Sequence, residues 1–203
     1  MPELPEVETV KNVLKKKVIN KKIVDLKVNY EKIIAYPTLE QFKKEIINKV
    51  IIDIKRRGKW LIFDMDDYLL LSHLRMEGKF NLKNKNDEVN KHEHVIFIFD
   101  DETELRYQDT RKFGKIYLFK KDIAYKVKPL VELGLEPFDE KLDENYLKDK
   151  LKTKKLPIKT TLLDQKIIVG IGNIYADEIL FLSKINPSKK AYLLNKQELN
   201  EII

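Results

Sequence analysis

The sequence contains no cysteine, which excludes disulfides, iron–sulfur clusters, thiolate zinc sites and a cysteine nucleophile within this chain. Histidine is scarce: the 3 present are too few for a histidine-rich metal cage. No apolar run approaches the ~18 residues that cross a bilayer, and Met1-Pro2-Glu3 has none of the character of a secretory leader. These absences predict a soluble protein of the cytoplasm. Glycine is also rare, with 6 in 203 residues, so each marks a candidate position where the backbone is forced rather than filled.

What the chain has is charge. Its 40 Lys and Arg against 33 Asp and Glu leave a formal charge of +7, and 43% hydrophobic with 36% charged residues is a globular composition. The length predicts one or two domains, each able to bury a core without staples. A basic balance fits a polyanionic partner, although a Lys-rich composition alone would produce the same sum. Clustering argues for the partner: Lys148, Lys150, Lys152, Lys154, Lys155 and Lys159 crowd one stretch, and Lys55, Arg56, Arg57 and Lys59 make a second knot.

The patterning falls into two textures. Pro5 suits the first turn of a helix, and Val7, Val10, Leu14 and Val18 follow at helical spacing. Short β-branched and aromatic runs then cover residues 22–28, 50–54, 60–65, 68–74, 95–99, 104–107 and 115–119, predicting an antiparallel sandwich or barrel. After about Pro129 the pattern turns helical over 143–151, 156–166 and 173–182. A last helix over 195–203 has no terminating signal, which predicts a chain cut short inside it. The expected class is α+β, with a catalytic β-sandwich domain and flanking helix over 1–128, a linker over 129–140 and an incomplete helical domain over 141–203.

Removal of Met1 would leave Pro2 as a secondary amine at the N-terminus. An α-amino group titrates near ~7.7–8.0, so part of it is neutral and nucleophilic at neutral pH. Attack on a sugar carbon gives an iminium that has no nitrogen proton to lose and acts as an electron sink. Glu3 and Glu6 stand close enough in sequence to serve as acid and base. The same Pro-Glu-Leu-Pro-Glu string also reads as a plain helix entry, and the glycines beside Arg57, Glu77 and Phe113 also read as ordinary turns.

Five strings decide between these readings. Met1-Pro2-Glu3-Leu4-Pro5-Glu6-Val7-Glu8-Thr9, His73-Leu74-Arg75-Met76-Glu77-Gly78, Lys91-His92-Glu93-His94, Asp109-Thr110-Arg111-Lys112-Phe113-Gly114 and Val169-Gly170-Ile171-Gly172-Asn173-Ile174-Tyr175-Ala176 together resemble the formamidopyrimidine-DNA glycosylase family. The resemblance implies a bifunctional glycosylase and AP lyase that removes oxidised purines, 8-oxoguanine and formamidopyrimidines, from damaged double-stranded DNA in base-excision repair. It implies Pro2 as the Schiff-base nucleophile, Glu3 as general acid/base, Glu6 as its assistant at the sugar, and Lys59 as proton donor in β-elimination and phosphate contact.

The resemblance further implies that the target nucleotide is flipped out, with Met76, Arg111 and Phe113 filling the gap. Phosphate contacts fall on Lys59, His92, Arg111, Lys154 and Asn173, with Lys159 near the lesion and Glu77 at the base pocket. It implies a helix-two-turn-helix form for the second domain and a monomer. The family's cysteine-ligated zinc finger has no counterpart in this sequence, so no metal or cofactor is expected here. The alternative expectation is an inactive fragment that binds DNA weakly and salt-dependently.

Overall fold

Helix α1 (Leu4–Val18) starts at a reciprocal capping box between Glu3 and Glu6, with Pro5 in its first turn and Lys15, Lys16 and Lys17 at its C-terminal end. Both choices suit the helix dipole and the unpaired terminal amides. Val7, Leu14 and Val18 form its buried stripe, each contributing about 1.5–3 kcal/mol of apolar burial. In the computed structural model, which describes residues 2–203, the chain divides into two units, Met1–Val127 and Lys128–Ile203.

In the first unit, β1 (Ile23–Val28), β2 (Ile34–Tyr36) and helix α2 (Leu39–Ile46) follow α1. Seven further strands come next: β3 (Asp53–Arg57), β4 (Trp60–Met65), β5 (Tyr68–His73), β6 (Lys79–Asn84), β7 (Glu93–Phe99), β8 (Thr103–Gln108) and β9 (Lys115–Lys120). The short α3 (Lys121–Ala124) closes the unit. One sheet has the order β1-β7-β8-β6 and the other β2-β9-β5-β4-β3. Inward residues of both, including Leu26, Phe97, Leu105 and Tyr107 from one and Ile54, Phe63, Leu70 and Leu118 from the other, share a single apolar cluster with α1 and α2.

Three features depart from the sequence expectation. The pairing is not wholly antiparallel, because β2 runs parallel to β9. Strand β6 was not anticipated: Phe80 and Leu82 alternate into the cluster while its lysines face out. Helix α2 was also not anticipated; Thr38 caps it and Phe42 and Ile46, one turn apart, bury its apolar edge.

The β8 side facing away from Leu105 and Tyr107 carries a buried ionic group. Arg106 is fully buried and donates to Glu104, to Glu93 and to the carbonyls of Asn84, Asp87 and Glu88. Two carboxylates and three carbonyls thus saturate the guanidinium, the condition under which burying a charge is tolerable. The result is a pinned 84–93 segment that carries His92.

The second unit contains α4 (Glu144–Leu151), α5 (Ile158–Leu162), α6 (Asn173–Leu182) and α7 (Lys196–Ile202). Asp143 caps α4 through Tyr146 N at 2.7 Å, and Asn195 forms a capping box with Glu198 at α7. Leu147, Leu151, Ile158, Leu162, Ala176, Leu180 and Leu199 make its core. Helix α5 is shorter than expected, since Pro157 fixes its start and a turn at Asp164 ends it. The unit is not purely helical: isolated bridges join Leu135 to Ile168 and Pro157 to Lys190. The segment expected as a linker packs within this unit, with Gly134 N bonded to Gln165 O and Leu135 N to Ile167 O. No helix among the described residues is long and apolar enough to cross a membrane.

Candidate active site and nucleic-acid interface

The start of α1 is held against β3 by side chains. Arg56 Nε donates to Glu8 Oε2 at 2.9 Å, and Lys15 pairs with Asp53 at 2.6 Å. Arg56 also donates to the Gly58 carbonyl at 2.9 Å, shaping the turn that delivers Lys59 to the head of β4. Gly58 takes a positive φ of 56°, as this tight strand connection requires.

Lys59 is only 3% exposed. Burial holds its ammonium below the ordinary lysine range, and the charges of Glu3 and Glu6 partly offset that fall. A lysine under this tension gives up a proton more readily than a surface lysine and regains it beside carboxylates. Glu3 is buried, Glu6 is exposed at the helix entry, and Glu6 Oε2 accepts the Glu3 amide at 2.9 Å. Pro2 is partly exposed at the same helix entry. The structure thus brings the sequence-predicted Glu3, Glu6 and Lys59 into electrostatic contact beside Pro2.

Met76 and Glu77 stand exposed on the turn between β5 and β6, which Gly78 N closes by donating to Leu74 O at 2.9 Å. Arg111 and Phe113 lie on the β8–β9 turn, Phe113 51% exposed and Met76 44% exposed. The Arg111 guanidinium sits 4.8 Å over the Phe113 ring. Apolar side chains left this open on turns are not core residues. His92 is partly exposed on the segment pinned by Arg106, and its carbonyl accepts Asp109 N at 3.0 Å.

His73, which the family resemblance leaves without a role, is buried at the end of β5. Its Nδ1 accepts the Arg75 amide at 3.0 Å, which fixes the neutral tautomer, and its ring meets Trp60 edge-on at 4.8 Å. Burial first, then Arg75 and Lys59, push its pKa down to about 3. An unfolded histidine titrates near ~6.5, so between these values the unfolded chain binds the extra proton and stability falls as pH is lowered. Above that window the contribution is level. His73→Asn keeps an acceptor for Arg75 N without a titrating site. It is expected to flatten the acid loss by up to about 1.4 kcal/mol per pH unit, read from urea unfolding at about pH 6.5 and about pH 4.5. Parallel stability losses in the two proteins would contradict this assignment.

In the second unit Asn173 opens α6, exposed, with Gly172 before it. The turn leading there is built by Gln165, whose side chain accepts Gly170 N at 2.9 Å and donates to Ile171 O at 2.9 Å. Gly170 has a φ of 89°, a region only glycine enters readily. Gln165 was not singled out from the sequence; nothing local distinguishes it from a surface glutamine. Lys154 and Lys159 are each already paired, with Asp164 at 3.0 Å and Asp177 at 2.7 Å. Contact with a phosphate would therefore exchange one anion for another on a half-exposed side chain, at little cost.

Two domain families match the chain: the formamidopyrimidine-DNA glycosylase N-terminal domain over residues 1–116, and the formamidopyrimidine-DNA glycosylase H2TH domain over residues 133–203. A formamidopyrimidine-DNA glycosylase of Bacillus cereus is 47% identical over 203 residues, all of this chain and 74% of the relative. That of Cytobacillus firmus is 48% identical over 200 residues, covering 98% of this chain and 73% of the relative. Among solved structures, a complex between Lactococcus lactis Fpg and abasic-site DNA superposes with a TM-score of 0.92 at 40% identity, covering 98% of this chain and 73% of that one. A complex of a Lactococcus lactis Fpg mutant with Fapy-dG-containing DNA gives a TM-score of 0.92 at 40% identity, over 99% of this chain and 74% of that one. Matched along both units, and 47% identical over its whole length to the Bacillus cereus relative, the chain belongs to the formamidopyrimidine-DNA glycosylase family.

Proposed function

We propose that this chain carries the chemistry of a base-excision DNA glycosylase and AP lyase acting on oxidised purines, 8-oxoguanine and formamidopyrimidines, in duplex DNA. The observation that carries the reading is the buried Lys59 held in the field of Glu3 and Glu6 beside Pro2. In this reading the Pro2 amine attacks C1′ of the damaged nucleotide, the base leaves with the electrons of the glycosidic bond, and the proton shed by the amine nitrogen goes to the departing base. The sugar ring opens at O4′ with a proton from Glu3, leaving an iminium on Pro2. Glu6 assists at the sugar. Glu3, now a carboxylate, then takes the C2′ proton as the 3′ phosphate departs with the electrons of its C3′–O bond, with Lys59 as the proton source at the leaving oxygen.

Met76, Arg111 and Phe113 fill the gap left by the flipped nucleotide: two apolar wedges and one planar donor for the widowed base. Lys59, His92, Arg111, Lys154 and Asn173 hold phosphates, which positions the duplex without reading sequence. Lys159 stands near the lesion and Glu77 at the base pocket. We read the two sheets as the layers of a catalytic sandwich over 1–128 and the helical unit as the helix-two-turn-helix module.

The family's zinc finger does not fit this chain: it has no cysteine, and no group of three His, Asp or Glu among the described residues could hold a metal. The test is incision of a duplex with one 8-oxoguanine opposite cytosine, beside its undamaged twin. Cleavage of the lesion strand alone is expected; equal treatment of both duplexes, with salt-sensitive binding only, would leave a DNA-binding module and no more.

A further inference from the structure

Two turns in the first unit converge on one buried pair. Asp109 is fully buried, and its carboxylate is shared between the two ends of the 110–113 turn: Oδ1 accepts Arg111 N at 3.0 Å and Oδ2 accepts Gly114 N at 2.8 Å. The Tyr107 hydroxyl donates to Oδ2 at 3.4 Å. That hydroxyl also lies against two glycines, and a Cβ on either Gly114 or Gly78 would collide with it. Gly78 closes the turn that bears Met76, and Gly114 closes the turn that bears Arg111 and Phe113.

The backbone of Asp109 extends the same hub. Its amide donates to the His92 carbonyl at 3.0 Å, and its carbonyl meets His94 Nε2 at 2.8 Å. Both turns are also strained. Arg75 and Lys112 adopt positive φ values of 56° and 58°, although neither is glycine. Such conformations persist only where the surroundings over-determine them.

We propose that Asp109, with the Tyr107 hydroxyl against it, is a positioning residue that ties the Met76 turn and the Arg111/Phe113 turn to one anchor, so that the three side chains enter the DNA gap as a set. The proposal rests on the reading of these side chains as gap fillers. Asp109 touches no reacting atom; it acts through the two turns. A carboxylate suits the task because both oxygens accept. A carboxamide in its place presents an NH2 to either Arg111 N–H or Gly114 N–H, and one end of the 110–113 turn is released.

The test uses the 203-residue chain with Asp109→Asn and Tyr107→Phe. Affinity is measured for a duplex containing a tetrahydrofuran abasic analogue and for the undamaged duplex, with 2-aminopurine opposite the analogue reporting on the widowed base. Asp109→Asn is expected to lower the abasic-over-undamaged preference about 10-fold, as for one lost buried hydrogen bond, while undamaged affinity moves less than about 2-fold. Tyr107→Phe keeps the carboxylate and both turn amides bonded, and is expected to lower the preference about 3-fold.

A structural role alone would weaken both duplexes equally and leave the ratio untouched. An unchanged ratio in the folded variants overturns the proposal, and so does a parallel loss on both duplexes. If Asp109→Asn does not fold, the Tyr107→Phe ratio decides by the same criterion. A parent chain with no preference for the abasic duplex overturns the gap-filling reading itself, a failure distinct from an intact parent preference that the variants do not disturb.

Discussion

Glu3→Gln is expected to slow base excision about 10²–10⁴-fold, the range that a positioned general acid–base group supplies. The effect follows from burial. Glu3 is 3% exposed and caps α1 in a reciprocal pair with Glu6. Glutamine is nearly isosteric and still accepts a backbone amide, so the helix entry survives; what disappears is a proton-transferring group and a charge that helps keep Lys59 protonated. Excision measured under single turnover, with affinity for an abasic analogue as the control, separates the two. A rate within about 3-fold of the parent would remove Glu3 from the chemistry. Glu6→Gln is the internal comparison: Glu6 is exposed, so its loss is expected to cost less than that of Glu3.

Much of this arrangement was legible in the sequence because it is local. Pro5 and the Val7, Leu14, Val18 stripe announce α1, and the β-branched runs announce most strands. The parallel partnership of β2 with β9 was not legible, since no short-range signal records which distant strand an edge will meet or in which direction. Arg106 shows the same limit. An arginine alternating with Leu105 and Tyr107 reads as solvent-facing, whereas the 84–93 segment folds over that face and buries it. Strand β6 was readable in principle, through the alternation of Phe80 and Leu82, but three lysines and two asparagines around them masked it.

The candidate site divides in the same way. Pro2, Glu3, Glu6 and the side chains of Met76, Arg111 and Phe113 sit in contiguous strings, so a string can point to them. The supports of those side chains do not. Asp109 and His73 lie inside the quoted strings, yet their work depends on Tyr107, Gly78 and Arg75 arriving from neighbouring strands and turns. Gln165 builds the turn before Asn173 entirely through backbone groups that the sequence does not mark.

Blocking the N-terminal nitrogen is expected to have the largest effect of all. Only a free secondary amine at Pro2 can form the iminium, because an acylated nitrogen has its lone pair delocalised into the carbonyl. Retention of Met1 acylates that nitrogen as surely as deliberate acetylation. Either form is expected to bring lesion-strand incision down to background, with unfolding midpoint and undamaged-duplex affinity unchanged, since neither alters a described core contact. Lys59 is the competing amine in the neighbourhood: burial lowers its pKa, as nucleophilic lysines require.

Borohydride trapping on a duplex with one 8-oxoguanine opposite cytosine, followed by mass mapping of the adduct, tests that central claim directly. The account predicts one covalent adduct per Met1-free chain, located on the Pro2 peptide and lost on acetylation of the N-terminus. An adduct on the Lys59 peptide, or none from folded Met1-free protein, would contradict it.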